Sequence, residues 1–156
     1  VVKDMSQSTN AGDPHHLDRF VEVQKKNYEQ ALSEIKRGRK RSHWMWYIFL
    51  QFDGLADGLK SQKYSIKSIA EAKAYLSHLT LGPRLTEITM AALSIEGKSA
   101  HEIFDSPDNM KLKSCATLFA HVSPAGSVFE QMLDKLFQGE HDSKTLCLLS
   151  VASKDT

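Results

Sequence analysis

The sequence predicts an all-α fold, a compact single-domain, bundle-like array of seven or eight helices with orthogonal or irregular packing. Three observations carry this. Apolar residues recur at three- and four-residue spacing through most of the chain. Helix-start signatures precede these runs and glycines follow them. No alternating apolar–polar segment offers a partner strand. The length of 156 residues suits one core, so a single domain is expected over 13–150. A disordered tail is expected over 1–12 and a short C-terminal tail over 151–156.

The first helix is expected to open at Asp13-Pro14, with Asp as N-cap and Pro at the first helical position, where a missing N–H is harmless. Leu17, Phe20, Val21, Gln24, Tyr28, Ala31, Leu32 and Ile35 then mark one face, and Gly38 stops the helix. Arg39 to Ser42 reads as a loop. His43 to Phe52 is apolar on every side and reads as a short buried helix, and Asp53-Gly54 and Asp57-Gly58 are turn signals. Ser68 to Glu71 is a capping box that opens a helix through Leu76. Gly82-Pro83 marks a break or a new helix start before the stripe Leu85, Ile88, Ala91, Ala92, Ile95, which Gly97 stops. Ser99 to Glu102 repeats the capping box. Ser106-Pro107 is expected to cap a helix with the stripe Met110, Leu112, Cys115, Leu118, Phe119. A turn over Pro124 to Gly126 leads to a helix from Val128 to Phe137, and Asp142 opens a last one from Ser143 to Leu149.

Composition excludes several classes. With 41% hydrophobic and 25% charged residues the chain is patterned to fold rather than to stay disordered. Its longest apolar run, Trp44 to Leu50, is far short of the roughly 18 residues of a membrane span. No membrane partner is expected, and Val1 to Gly12 lacks the apolar core of a signal peptide. Cys115 and Cys147 both lie in apolar periodic segments and read as small buried hydrophobes; free thiols in a cytoplasmic setting are expected, a disulfide between them being the alternative.

Familiar catalytic signatures are missing. Seven histidines show no metal-ligand spacing, and His15-His16 reads as solvated surface, so no metal and no cofactor is expected. There is no Gly-x-Ser-x-Gly elbow and no phosphate-cradling glycine loop. The carboxylates cluster at helix ends and turns, where Asp caps backbone N–H groups.

One segment stands apart. Lys36, Arg37, Arg39, Lys40 and Arg41 place five positive charges in six residues with no carboxylate among them. Removing these five from the net charge of +1 leaves −4 for the rest of the chain. Directly after come Ser42, His43, Trp44 and Trp46, the two indoles being the only ones in the chain. Guanidinium forks hold phosphate or carboxylate, and indoles and imidazole stack on rings. The segment therefore supports a site for a small anionic ligand, nucleotide-like or phosphorylated. Arg39, Lys40, Arg41 and Ser42 would bind the anion and Trp44 or Trp46 would wall the site. Arg84 would contribute from its helix start, and His43 would polarise the ligand or transfer a proton. The alternative is a non-catalytic module that docks an acidic protein or single-stranded RNA, nucleic acid being the less favoured given the low net charge. A third reading makes Trp44, Trp46 and Phe49 core packing, with Lys36 and Arg37 offsetting the helix dipole.

Gly38-Arg39-Lys40-x-Ser42-His43-Trp44-Met45-Trp46, with Gln51 and Gly54-Leu55, resembles an uncharacterised family known as domain of unknown function 1810. Tyr64-Ser65-Ile66, Glu71-Ala72-x-Ala74-Tyr75-Leu76, Leu81-Gly82-Pro83-Arg84-Leu85 and Ile103-Phe104-x-Ser106-Pro107-Asp108 extend the resemblance from Asp13 to about Leu149. The chain departs at Leu50, where the family tends to have Pro. The resemblance implies a compact all-helical intracellular domain without an established activity. Some members carry the label calpastatin, although inhibitors of that type are disordered. Oligomeric state does not follow from the sequence.

Overall fold

The computed structural model describes residues 12–55 and 58–154. The tail expected over 1–12 lies outside the described residues except for Gly12, and so does Asp57 of the second turn signal. Nine helices and no strand are found among the described residues: α1 Asp18–Lys36, α2 Met45–Ile48, α3 Leu59–Tyr64, α4 Ile69–Ser77, α5 Leu81–Leu93, α6 Ala100–Phe104, α7 Asp108–His121, α8 Val128–Phe137 and α9 Ser143–Lys154. The all-α expectation is met, with one helix more than the upper count.

The start of α1 is displaced from its expected place. Asp13 does cap, but from farther back: its carboxylate accepts from the N–H groups of Leu17 (2.6 Å) and Asp18 (2.9 Å). Residues 13–17 thus form a turn, and Pro14 sits in it rather than at the first helical position. The apolar stripe of α1 packs as read, with Phe20, Gln24, Tyr28, Ala31, Leu32 and Ile35 all buried. Glu34 is buried beside them, which the pattern did not announce.

After α1 the apolar segment divides. Met45–Ile48 forms one helical turn, and Phe49 then turns extended (φ −109°, ψ 88°). Phe52 makes a single parallel bridge with Ile66, so only the first half of the expected buried helix is helical. Leu50 is fully buried.

Ser68 caps α4 by accepting from the Glu71 N–H, but the returning Glu71 carboxylate accepts from Lys67 N–H rather than from Ser68. Ser99 and Glu102 form the full reciprocal capping box at α6. Pro107, not Ser106, is the N-cap of α7, and Met110 projects from the helix instead of joining its buried stripe. Asp142 caps α9 as expected, accepting from Thr145 N–H at 2.9 Å. That helix runs on through 151–154, past the expected end at Leu149.

Helix α5 is central, touching α1, α4 and α8, while α7 touches α6, α8 and α9. Aromatic rings connect these layers. Phe20, Tyr75, Phe119 and Phe129 follow one another at centroid distances of 5.3, 5.6 and 5.5 Å. A second series, Trp44 to Phe49 to Phe104 at 6.2 and 5.8 Å, fastens the segment after α1 to α6. No helix is long and apolar enough to cross a membrane among the described residues.

Candidate functional site

The basic and aromatic segment is built around the chain's own Glu34. Gly38 ends α1 with φ +91°, a conformation that glycine adopts without steric penalty. Its N–H donates to the Ile35 carbonyl (2.8 Å) and that of Arg39 to the Glu34 carbonyl (3.2 Å), the two bonds of a Schellman motif. This reversal turns the following N–H groups back toward the helix. Arg41 N–H (2.8 Å), Ser42 N–H (3.0 Å) and Trp44 Nε1–H (2.8 Å) donate to Glu34 Oε1. Ser42 Oγ–H (2.6 Å) and Gln30 Nε2–H (3.1 Å) donate to Oε2. Glu34 is 6% exposed. Burial pushes its pKa up, but the bonds from Ser42, Arg41 and Trp44 outweigh it and hold the carboxyl down at about 2.

Two of the five cations also meet carboxylates from far along the chain. Arg39 pairs with Asp105 at 2.9 Å, both side chains about half exposed. The side chain of Lys40 is buried: its ammonium donates to Asp108 (2.8 Å) and to the Ser42 carbonyl (2.5 Å), and lies 5.2 Å from the Trp44 ring centre. The Lys40 N–H donates to the Ile103 carbonyl (2.8 Å), which seats the loop on α6. Trp44 is 1% exposed, whereas Trp46 is half-buried with its ring 5.9 Å from that of Tyr47. His43 is exposed, and its carbonyl accepts from Tyr47 Oη at 3.2 Å.

Lys36, Arg37 and Arg41 remain exposed, and none makes an ion pair with a described residue. Lys98 joins them, its ammonium donating to the Gly38 carbonyl at 3.0 Å. The structure therefore brings Arg39, Lys40, Arg41, Ser42 and Trp44 together around one acidic core. Arg84 belongs to another cluster: it donates to Gln24 Oε1 (3.3 Å) and lies 5.5 Å from the Tyr28 ring centre.

Sequence reasoning missed Glu34, Asp105 and Asp108. Glu34 carried a signal, since it lies three residues after Ala31 on the buried side of α1. Asp105 carried none beyond its position beside a helix end, and Asp108 only its place in the Ser106-Pro107-Asp108 stretch of the family resemblance.

Clefts elsewhere adjoin the turn before α1. One of about 550 Å³ is lined by Asp13, His15, Asp18 and His78 among others, and one of about 440 Å³ by His15, His16, Arg19, Lys63 and Lys67. Arg19 looks suited to an anion, but all five of its N–H groups are committed. They go to the carbonyls of Lys63, His15, His16 and Ser65 and to the Glu71 carboxylate, at 2.7–3.1 Å. It pins the turn and has no donor left for a ligand. No cluster of three or more His, Cys, Asp or Glu among the described residues is placed to hold a metal ion. Cys115 is buried with its thiol pKa pushed up by that burial, while Cys147 is exposed, contrary to its reading as a buried hydrophobe.

Fold and site define a class: an all-helical domain whose basic segment closes over an internal carboxylate and leaves a cationic ridge outside. The chain belongs to the family described as protein of unknown function (DUF1810), which matches residues 14–149. It is similar to the conserved hypothetical protein Rv1873 from Mycobacterium tuberculosis, a crystal structure, with 43% identity over 88% of this chain and 99% of that one and a TM-score of 0.87. No curated protein matches the chain.

Proposed function

We propose that the chain is a non-catalytic interaction module that docks an acidic protein segment on the ridge formed by Lys36, Arg37, Arg41 and Lys98. One observation carries this reading: the inward donors of the basic segment already hold Glu34, Asp105 and Asp108, while the outward cations meet no carboxylate among the described residues. A small anion bound at Arg39, Lys40, Ser42 and Trp44 would have to displace these internal partners, and Trp44 is too deeply buried to wall a site. Single-stranded RNA is the weaker partner, because the buried Trp44 offers no face on which a base could stack. A shallow cleft of about 250 Å³ lined by Glu29, Leu32, Ser33, Lys36 and Arg37 gives the ridge a recess beside its charges.

The test is binding of a labelled Asp/Glu-rich peptide followed by fluorescence anisotropy. Affinity is expected to fall as salt rises from about 50 to about 200 mM, because solvent-exposed charges are screened. It is also expected to weaken at least about tenfold in the double variant Arg37→Glu/Arg41→Glu. Peptide binding that ignores the charge reversal would sink the reading. A selective thermal shift with one phosphorylated metabolite, lost in Arg41→Ala, would instead favour the ligand site with His43 beside it.

A further inference from the structure

We infer that Ser42 is a phosphorylation site for a basophilic serine/threonine kinase, and that its modification opens the Glu34-centred loop and switches off the cationic ridge. The regulatory half of this rests on the docking reading above; the modification itself does not.

Recognition comes first. Arg39 lies three residues before Ser42, and Lys40 and Arg41 lie between them, in a loop rather than a helix. Kinases that select basic substrates do so by charge pattern, with carboxylates in the cleft that pair the arginines preceding the acceptor. Arg39 is available for that exchange: its pair with Asp105 is half exposed, and such pairs hold weakly.

The consequence follows from what Ser42 touches. Its Oγ lies 2.6 Å from Glu34 Oε2 and donates its only proton to it. The kinase traps the loop when it opens locally. In the transfer, the bond from Oγ to the γ-phosphorus of ATP forms and the bond to the ADP oxygen breaks. The hydroxyl proton leaves to the kinase's base. The phosphoserine then carries a charge of about −1.5 to −2 and has lost the donor that Glu34 accepted. It cannot return beside a buried carboxylate, because like charges at that distance in a dry site repel strongly. The loop stays open, Trp44 loses its Glu34 anchor, and the new dianion lies beside Arg41. The ridge falls from four positive charges (Lys36, Arg37, Arg41, Lys98) to about two.

The experiment treats the full chain with a basophilic kinase and radiolabelled ATP, maps the label by mass spectrometry, and records tryptophan emission. Labelling is expected at Ser42, retained in Ser42→Thr and reduced about tenfold in Arg39→Ala, which keeps the acceptor and its hydrogen bonds. Emission is expected to shift to the red on phosphorylation, a shift absent from Trp44→Phe. No labelling, labelling at another residue, or labelled Ser42 with unchanged Trp44 emission would each overturn the proposal. The acidic peptide separates the two ideas. If it binds neither form, the docking reading fails while the label and the emission still decide the switch. If it binds both forms equally, the regulatory half fails.

Discussion

At Glu34, five donors surround a carboxylate that water scarcely reaches, so the charge and the loop geometry depend on each other. Glu34→Gln keeps the volume but turns an NH2 group toward donors that need an acceptor. It should lower stability at neutral pH by about 3 kcal/mol, as charge-assisted bonds to buried groups do. The pH dependence has a definite sign. The folded pKa of about 2 lies below the unfolded value of about 4.3, so this contribution is complete above that value and is lost as pH falls through about 2. Urea midpoints of wild type and Glu34→Gln should therefore converge on acidification below about pH 4, and a gap that stays constant would refute the assignment. The two neighbouring ion pairs should differ as their exposure does. Lys40→Ala leaves Asp108, in a mostly buried site, with only Lys111 at 3.7 Å and should cost about 2 kcal/mol, whereas Arg39→Ala removes a half-exposed pair and should cost less than about 1. The cations themselves were legible in the sequence, but their partners were not. Counting charges within six residues finds no carboxylate, because Asp105 lies 66 residues from Arg39 and reaches it only through packing of α6 against the loop.

At the scale of elements, what was legible followed local rules and what was not depended on tertiary contact. The end of α1 and the starts of α4 and α6 carry a stop glycine or a capping serine in sequence and lie where those signals put them, and α8 runs from Val128 to Phe137 as expected, whereas α5 ends at Leu93, short of Ile95 and Gly97. Helix α3 was missed because Leu59–Tyr64 has no apolar stripe; Leu59, its first residue, is 86% exposed. The extended stretch after Phe49 was missed because its partner, Ile66, makes one bridge rather than an alternating strand. The junction of α4 and α5 shows a local signal whose reason is tertiary. Gly82 is helical, yet a Cβ on it would sit 2.1 Å from the Leu76 carbonyl oxygen, and backbone cannot move aside as a side chain can. Gly82→Ala should therefore destabilise by at least about 3 kcal/mol, far from the gain that alanine normally brings to a helix. A thermal melt unchanged by Gly82→Ala would mean that the two helices separate without cost.

Across the whole molecule, α7 is the element that reports on the rest. Every residue from Leu112 to Phe119 is buried, so its partners enclose it on all sides rather than along one stripe. Even its polar positions are occupied: Thr117 donates to the Lys113 carbonyl and accepts from the Asp142 N–H, and Lys113 pairs with Glu140. Cys115 lies in the middle of this run with its thiol held protonated by burial, while Cys147 faces solvent on α9. Only the thiolate reacts with an alkylating agent, so Cys147 should label in the folded protein and Cys115 only when the core opens. The rate at Cys115 then measures the population of the open molecule. If the loop around Glu34 belongs to the same cooperative unit, the loss of about 3 kcal/mol in Glu34→Gln should speed Cys115 alkylation by about a hundredfold and leave Cys147 unchanged. Equal rates at Cys115 in both proteins would show instead that the loop opens as a separate unit. Phosphorylation at Ser42 would then release the loop without loosening the core.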